Sequence, residues 1–336
     1  MKLSARESAV LRAVVQAYVE QTGPVASKRV AERCRLGLSP ATIRSVMADL
    51  EERGLLLQAH RSAGRLPSEA GLRLYVEQVL EVDRLGPGDK ARIRRAFRGL
   101  GAEPHRALRE ASLILSEVSD HTGVVLAPKF WEAPLRSARF YQVQPGAVLA
   151  ILVDEAGFVH SRLVPVDEDL DQSDLDKFSD YLRGRLRGRS LQELRELVKR
   201  EAEEEAGRAG RVLAQLLSLA RASLEAETFF IGGRANVLNH PEFADLRLLR
   251  VALQALEEKR VIIKLLDRTA TADGLRIFVG GGGRQCLSGL SLVSSPYCGA
   301  GECMGSLGVV GPMRMDYSRV VPIVAYTARK MSQVLN

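Results

Sequence analysis

The chain has 336 residues, 46% of them hydrophobic and 26% charged; that is too long for one hydrophobic core and too apolar for a disordered polymer, and about 150 residues per domain gives two or three units. Forty-eight Lys and Arg against forty-one Asp and Glu leave a net charge of +7, which permits a polyanionic partner. The longest apolar run, Ala147 to Val153, is far short of the roughly 20 residues of a membrane helix, and Arg6, Glu7 and Arg12 interrupt any secretory apolar segment, so a cytoplasmic chain with no membrane contact is expected.

The elements begin with a small domain from Leu3 to about Leu80. Ser4-x-x-Glu7 fits a capping box, and Leu11, Val14, Val15, Tyr18 and Val19 recur on one helical face until Gly23-Pro24. A short second helix starts near Ser27 and ends around 35–37, with Val30, Ala31 and Cys34 inward. Ser39 caps a third helix whose first residue is Pro40 and whose buried stripe is Ile43, Val46, Met47 and Leu50, ending at Gly54. Leu55 to Leu57 and Leu66-Pro67, joined by the polar tip His60 to Arg65, form a small hairpin, and a further helix presents Leu72, Tyr75, Val76, Val79 and Leu80. Residues 85–103 read as a connector, partly helical.

From about Pro104 the pattern is α+β. A helix to about Asp120 leads into strand-like runs at Thr122 to Ala127, Ser137 to Val143, Val148 to Val153 and Phe158 to Val166. Helical spacing returns in Leu175, Phe178, Leu182 and Leu186, then in Leu191, Leu194, Leu197 and Val198, then in Leu213, Leu216, Leu217, Ala220 and Leu224. A helix at 245–258, strands at Arg276 to Val279, Leu290 to Ser294 and Leu307 to Val310, and a final helix from about Tyr317 complete the chain. The simplest account is one α+β domain, 104–166 with 228–336, split by a helical insertion at 167–227.

Helix, tight turn, helix and hairpin make a winged helix-turn-helix over 1–82, whose third helix enters the major groove while the hairpin tip meets the backbone or minor groove. With its stripe buried, that helix presents Thr42, Arg44 and Ser45 to double-stranded DNA, and the free N–H groups after Ser39 suit a phosphate. From Lys28 to Arg65 eight basic side chains face four acidic ones, so more than half the chain's excess charge sits here.

Enzymatic readings find little support. Gly280 to Gly283 follows a strand, yet neither a P-loop nor a dinucleotide fingerprint is present. The five histidines are dispersed, and Cys34, Cys286, Cys298 and Cys303 show neither a disulfide framework nor paired zinc spacing. No catalytic residue, metal or cofactor is expected, and Trp131 reads as packing. The competing reading is a transcription regulator whose sheet domain binds a metabolite.

Val25-x-Ser27-Lys28, Ser39-x-Ala41-Thr42-Ile43-Arg44, His60-x-Ser62-Ala63-Gly64-Arg65-Leu66-Pro67-Ser68-x-x-Gly71 and the stretch 305–317 resemble the heat-inducible transcription repressor family HrcA. The resemblance implies three parts: a winged helix, a GAF-like α+β domain, and a dimerising domain inserted into it. It also implies a homodimer on an inverted-repeat operator (CIRCE) upstream of chaperone operons, with activity maintained by the GroEL chaperonin. The motif residues Ser27, Lys28, Ser39, Thr42, Arg44, Ser45, His60, Arg61, Ser62 and Arg65 then form the DNA-facing set, and Phe178, Leu182, Leu213, Leu216 and Leu217 the dimerising stripe. Ser45 stands where the family usually has Asn, and a serine cannot make the bidentate adenine bond open to Asn.

Overall fold

A computed structural model of the chain describes residues 3–21, 23–34, 37–58, 64–100, 104–129, 132–155, 159–166, 170–186, 188–204, 208–226, 229–272, 274–280, 287, 289–299 and 302–335. His60, Arg61, Ser62, Trp131, Gly281 to Gly283 and Cys286 lie outside the described residues. In chain order the helices and strands are α1 (Ala5–Glu20), α2 (Ser27–Arg33), α3 (Pro40–Glu52), β1 (Leu56–Gln58), β2 (Arg65–Pro67), α4 (Glu69–Leu74), α5 (Pro87–Ala96), α6 (Pro104–Ser119), β3 (Thr122–Leu126), β4 (Leu135–Gln144), β5 (Ala147–Asp154), β6 (Val159–Pro165), α7 (Gln172–Arg183), α8 (Leu191–Glu204), α9 (Arg208–Ala226), β7 (Phe229–Gly232), α10 (Leu246–Glu258), α11 (Arg260–Ala270), β8 (Arg276–Val279), β9 (Leu290–Gly299), β10 (Glu302–Pro312) and α12 (Tyr317–Leu335). They form two compact units, one of residues 1–126 and 230–336, the other of residues 127–229.

The first unit holds the three N-terminal helices, the β1–β2 hairpin and a five-stranded sheet of order β7-β3-β10-β9-β8. The sheet is covered on both faces, as the almost continuous burial of β9 requires. Ser294 on β9 bonds Thr269 of α11 at 2.8 Å, and Ser306 on β10 donates to the Leu266 carbonyl at 2.8 Å, so one face rests on α11. Ser291, of opposite parity, meets the Tyr317 hydroxyl of α12 at 2.7 Å, and Gly123 of β3 lies against α6 with no room for a Cβ beside the Ser112 carbonyl. α5 occupies the expected connector and is packed, not loose: Ile93 is fully buried and Phe97 nearly so. The helix expected over 245–258 is followed directly by α11; Lys259, at φ +54°, turns the chain between them.

The helical part is tied to the sheet part within this unit. Arg73 donates from Nε to the Val279 carbonyl at 3.0 Å, Arg314 donates to the Tyr18 carbonyl at 3.2 Å and pairs with Glu242, and Ser318 donates to Asp83 at 2.9 Å. A buried histidine lies at the sheet's edge: His121 Nδ1 is 2.9 Å from His240 Nε2, and burial first, then the neighbouring His240 and Arg319, push its pKa down to about 3.

The second unit corrects the single split sheet. Among the described residues β4, β5 and β6 pair as strands with no other strand, in the order β4-β5-β6, and form a sheet of their own with α7, α8 and α9 packed on one face. The chain's separate unit therefore spans 127–229 and includes strands that the sequence pattern assigns to the other domain. The pattern marks strands without showing which partners they pair with.

Phe178, Leu182, Leu213, Leu216 and Leu217 are also placed differently from expectation. All five are buried in this unit's own core, with Phe140, Leu152 and Val164 of the sheet among their neighbours. Side chains spent on an intrachain core are not available to a second copy. The opposite face of the sheet is uncovered: across the register Tyr141↔Leu149↔Leu163, and Val153↔Val159, the outer-strand residues Tyr141, Val159 and Leu163 are exposed, and Leu149, Ile151 and Val153 of the central strand are half-buried.

Candidate nucleic-acid interface

α3 forms because its ends are satisfied locally. Ser39 is the N-cap and accepts the Thr42 amide on Oγ at 3.2 Å, Pro40 supplies the first turn, and the Ser39 and Thr42 hydroxyls bond each other at 2.9 Å. Ile43, Val46, Met47 and Leu50 are buried, and burying four such side chains stabilises the domain by roughly 1.5–3 kcal/mol each. The opposite face presents Ala41, Arg44, Ser45, Asp49 and Glu52 to solvent.

The hairpin is held close to this helix. β1 and β2 pair through Leu56↔Pro67, Leu57↔Leu66 and Gln58↔Arg65, and Val25 adds a bridge, its amide donating to the Arg65 carbonyl at 2.9 Å and its carbonyl accepting from the Arg65 amide at 3.0 Å. Gly64 is needed here, because a Cβ would collide with the Val25 carbonyl.

Charges sort into two groups. Arg33 pairs with Glu20 and Arg53 with Glu7, and Arg65 donates from Nε to Glu51 at 2.7 Å with its side chain only 14% exposed. The Arg33 hydrogen bond holds the Glu20 carboxyl below its ordinary range, and Glu7 is lowered chiefly by the Ser4 amide of the capping box. Lys28 and Arg44, by contrast, are exposed and have no ion pair among the described residues.

The expected DNA-facing residues accordingly divide. Lys28, Ser39, Arg44 and Ser45 are exposed, and Ser27 and Thr42 are half-buried. Arg65 instead ties the hairpin to Glu51 in the last turn of α3, and with its side chain only 14% exposed its guanidinium is not presented outward. Ala41, outside the expected DNA-facing set, is also exposed: it sits one turn before Ser45 on the same face, and its methyl group is of the kind that can contact thymine. Its signal was available, since 41, 44, 45 and 48 complement the buried stripe at helical spacing. Among the described residues no group of three or more His, Cys, Asp or Glu could hold a metal ion, and no helix is long and apolar enough to cross a membrane.

The chain is similar to known proteins along its whole length. A family model described as HrcA protein C terminal domain matches residues 105–321. The heat-inducible transcription repressor HrcA of Geobacter sulfurreducens is 39% identical, covering 99% of this chain and 98% of that protein. That of Syntrophobacter fumaroxidans is also 39% identical, over 99% of this chain and 97% of that protein. A solved structure described as a hypothetical protein at 2.2 Å resolution superposes with a TM-score of 0.66 at 23% identity, over 99% of both chains, and shares the fold.

Proposed function

The chain belongs to the HrcA family of heat-inducible transcription repressors, and on that premise we propose that it represses chaperone operons by binding the inverted-repeat CIRCE operator as a homodimer. The winged helix of residues 1–82 is the reader. α3 lies in the major groove, Arg44 bonds guanine through its bidentate fork, Ser45 and the Ala41 methyl meet neighbouring base edges, and Lys28 with the Ala41 amide holds phosphates. The observation that carries this reading is the exposed face of α3, where Arg44 has no carboxylate partner among the described residues while Arg33, Arg53 and Arg65 are all paired.

The dimer contact in this reading is the uncovered face of the β4–β6 sheet, with Tyr141, Ile151, Val159 and Leu163 at its centre. An apolar sheet face turned to water marks an interaction surface in a soluble chain. The inserted unit thereby dimerises the GAF-like domain that carries it and sets the spacing of the two α3 helices. The same apolar surface, open before assembly, is what the GroEL chaperonin would capture; loss of free chaperonin on heating would leave the repressor inactive. Purified protein that binds operator fully and reversibly without chaperonin, before and after heating, would remove that step.

The test is a gel shift against an inverted repeat and a scrambled duplex over a range of salt concentrations. Specific binding predicts an inverted-repeat affinity at least about 10³-fold tighter than the scrambled one. Equal affinity with the same salt slope would overturn the reading.

A second reading rests on a cavity of about 260 Å³ lined by Arg73, Glu77, Arg268 and Phe278, roomy enough for a small metabolite. A ligand-dependent rise in melting temperature or change in operator affinity would favour a metabolite-sensing regulator; neither, across a metabolite screen, would discard it.

A further inference from the structure

Cys298 and Cys303 stand opposite each other near the closed end of the β9–β10 hairpin, paired in the strand register, with their Sγ atoms 2.9 Å apart. Directly opposed residues in an antiparallel pair have Cα atoms about 4.5–5.5 Å apart, inside the roughly 4.4–6.8 Å that a disulfide spans, so the two sulfurs can bond without backbone movement. Both are free thiols. Cys303 is exposed and Cys298 half-buried. The Cys298 strand is also pinned from outside the hairpin: its amide donates to Ser332 Oγ of α12 at 2.9 Å.

We propose that Cys298 and Cys303 form a dithiol that hydroperoxides oxidise to an intrachain disulfide. The Cys303 thiolate attacks the terminal oxygen of the hydroperoxide; the O–O bond breaks, the other oxygen leaves as alcohol or water after taking up a proton, and Cys303 becomes a sulfenic acid. The Cys298 sulfur then attacks the Cys303 sulfur, the S–O bond breaks, and the departing hydroxide takes the Cys298 proton and leaves as water. Two thiols lose two electrons, and one hydroperoxide is reduced.

The division of roles follows from the surroundings. Burial first, and then the hydrogen bond and charge of Cys303, push the Cys298 thiol up to about 11, so Cys298 keeps its proton while the accessible Cys303 meets the oxidant.

The test uses the full chain. It is treated with a small molar excess of hydrogen peroxide, alkylated, and cleaved after Glu302, which puts Cys298 and Cys303 on separate fragments. The expected result is an intact mass lower by two hydrogens before alkylation, two of the four thiols protected, and the two fragments joined until reduced. Cys303→Ser should abolish the joining and leave Cys298 open to alkylation; Cys286→Ser should leave the joining unchanged. Over-oxidation of Cys303 without joining, a bond between two chains, or loss of joining in Cys286→Ser would overturn the proposal. In wild type the fragment 259–302 carries both Cys286 and Cys298, and sequencing that finds the alkyl group on Cys286 in the joined fragments decides even if a variant folds poorly.

Discussion

The exposed face of α3 and the exposed face of the β4–β6 sheet differ in what they leave without a partner. Among the described residues, on α3 it is charge and hydrogen-bonding capacity: Arg44 and Ser45. On the sheet it is apolar area: Tyr141, Ile151, Val159 and Leu163. A polar surface that keeps an arginine unpaired suits a hydrated polyanion, whereas an apolar sheet face gains only by excluding water. The comparison teaches that exposure alone names no partner; the chemistry left unsatisfied does.

The largest effect should come from charging the sheet face. On the proposed homodimer, Leu163→Asp, at a site 57% exposed, should leave the fold intact, give a monomer where wild type sediments as a dimer, and weaken inverted-repeat binding by about 10²–10⁴-fold through lost avidity. A dimer that survives would move the interface elsewhere. The interior stripe sharpens the contrast: Leu216→Ala should cost about 2–5 kcal/mol in urea unfolding and leave the subunit contact alone, because Leu216 is 1% exposed inside the core. Smaller effects separate the two groups of charges. Lys28→Ala should weaken operator and scrambled DNA alike and make the salt slope shallower by about 1. Arg65→Ala should instead lower stability, releasing the hairpin from Glu51, with the salt slope unchanged.

A further difference appears in acid. His121, held near 3 in the folded chain against an ordinary 6.5, is bound by a proton more readily when unfolded. Its contribution is therefore complete above pH 6.5 and is lost as pH falls toward 3, by up to about 1.4 kcal/mol per pH unit. Glu7 and Glu20, lowered by their partners, lose theirs only below about 4.5. Urea unfolding between pH 6.5 and 5 isolates the histidine, and His121→Gln should flatten the slope.

Much of the N-terminal helical region is legible because its signals are local. Ser4 with Glu7 and Ser39 with Pro40 announce helix starts within a few residues, and the α1 and α3 stripes follow from spacing. What escaped is long-range. Nothing near Arg65 says that Glu51 will take its guanidinium, so a basic hairpin residue expected at DNA is found paired with α3. Nothing in the Phe178 to Leu217 stripes distinguishes burial against the chain's own sheet from burial against a copy, since amphipathicity specifies a buried face and not its cover. β9 and β10 run longer than expected because hairpin pairing carries them through Pro296 and Gly305, which interrupt the apolar pattern. The start of α11 was hidden because no Gly or Pro marks the turn at Lys259.

The most direct measurement compares wild type and Arg44→Ala by fluorescence anisotropy at one salt concentration, on the inverted repeat and on a scrambled duplex. A base contact predicts a loss of about 1–3 kcal/mol on the inverted repeat, with little change on the scrambled duplex. Equal losses on both would contradict α3 as the reading element.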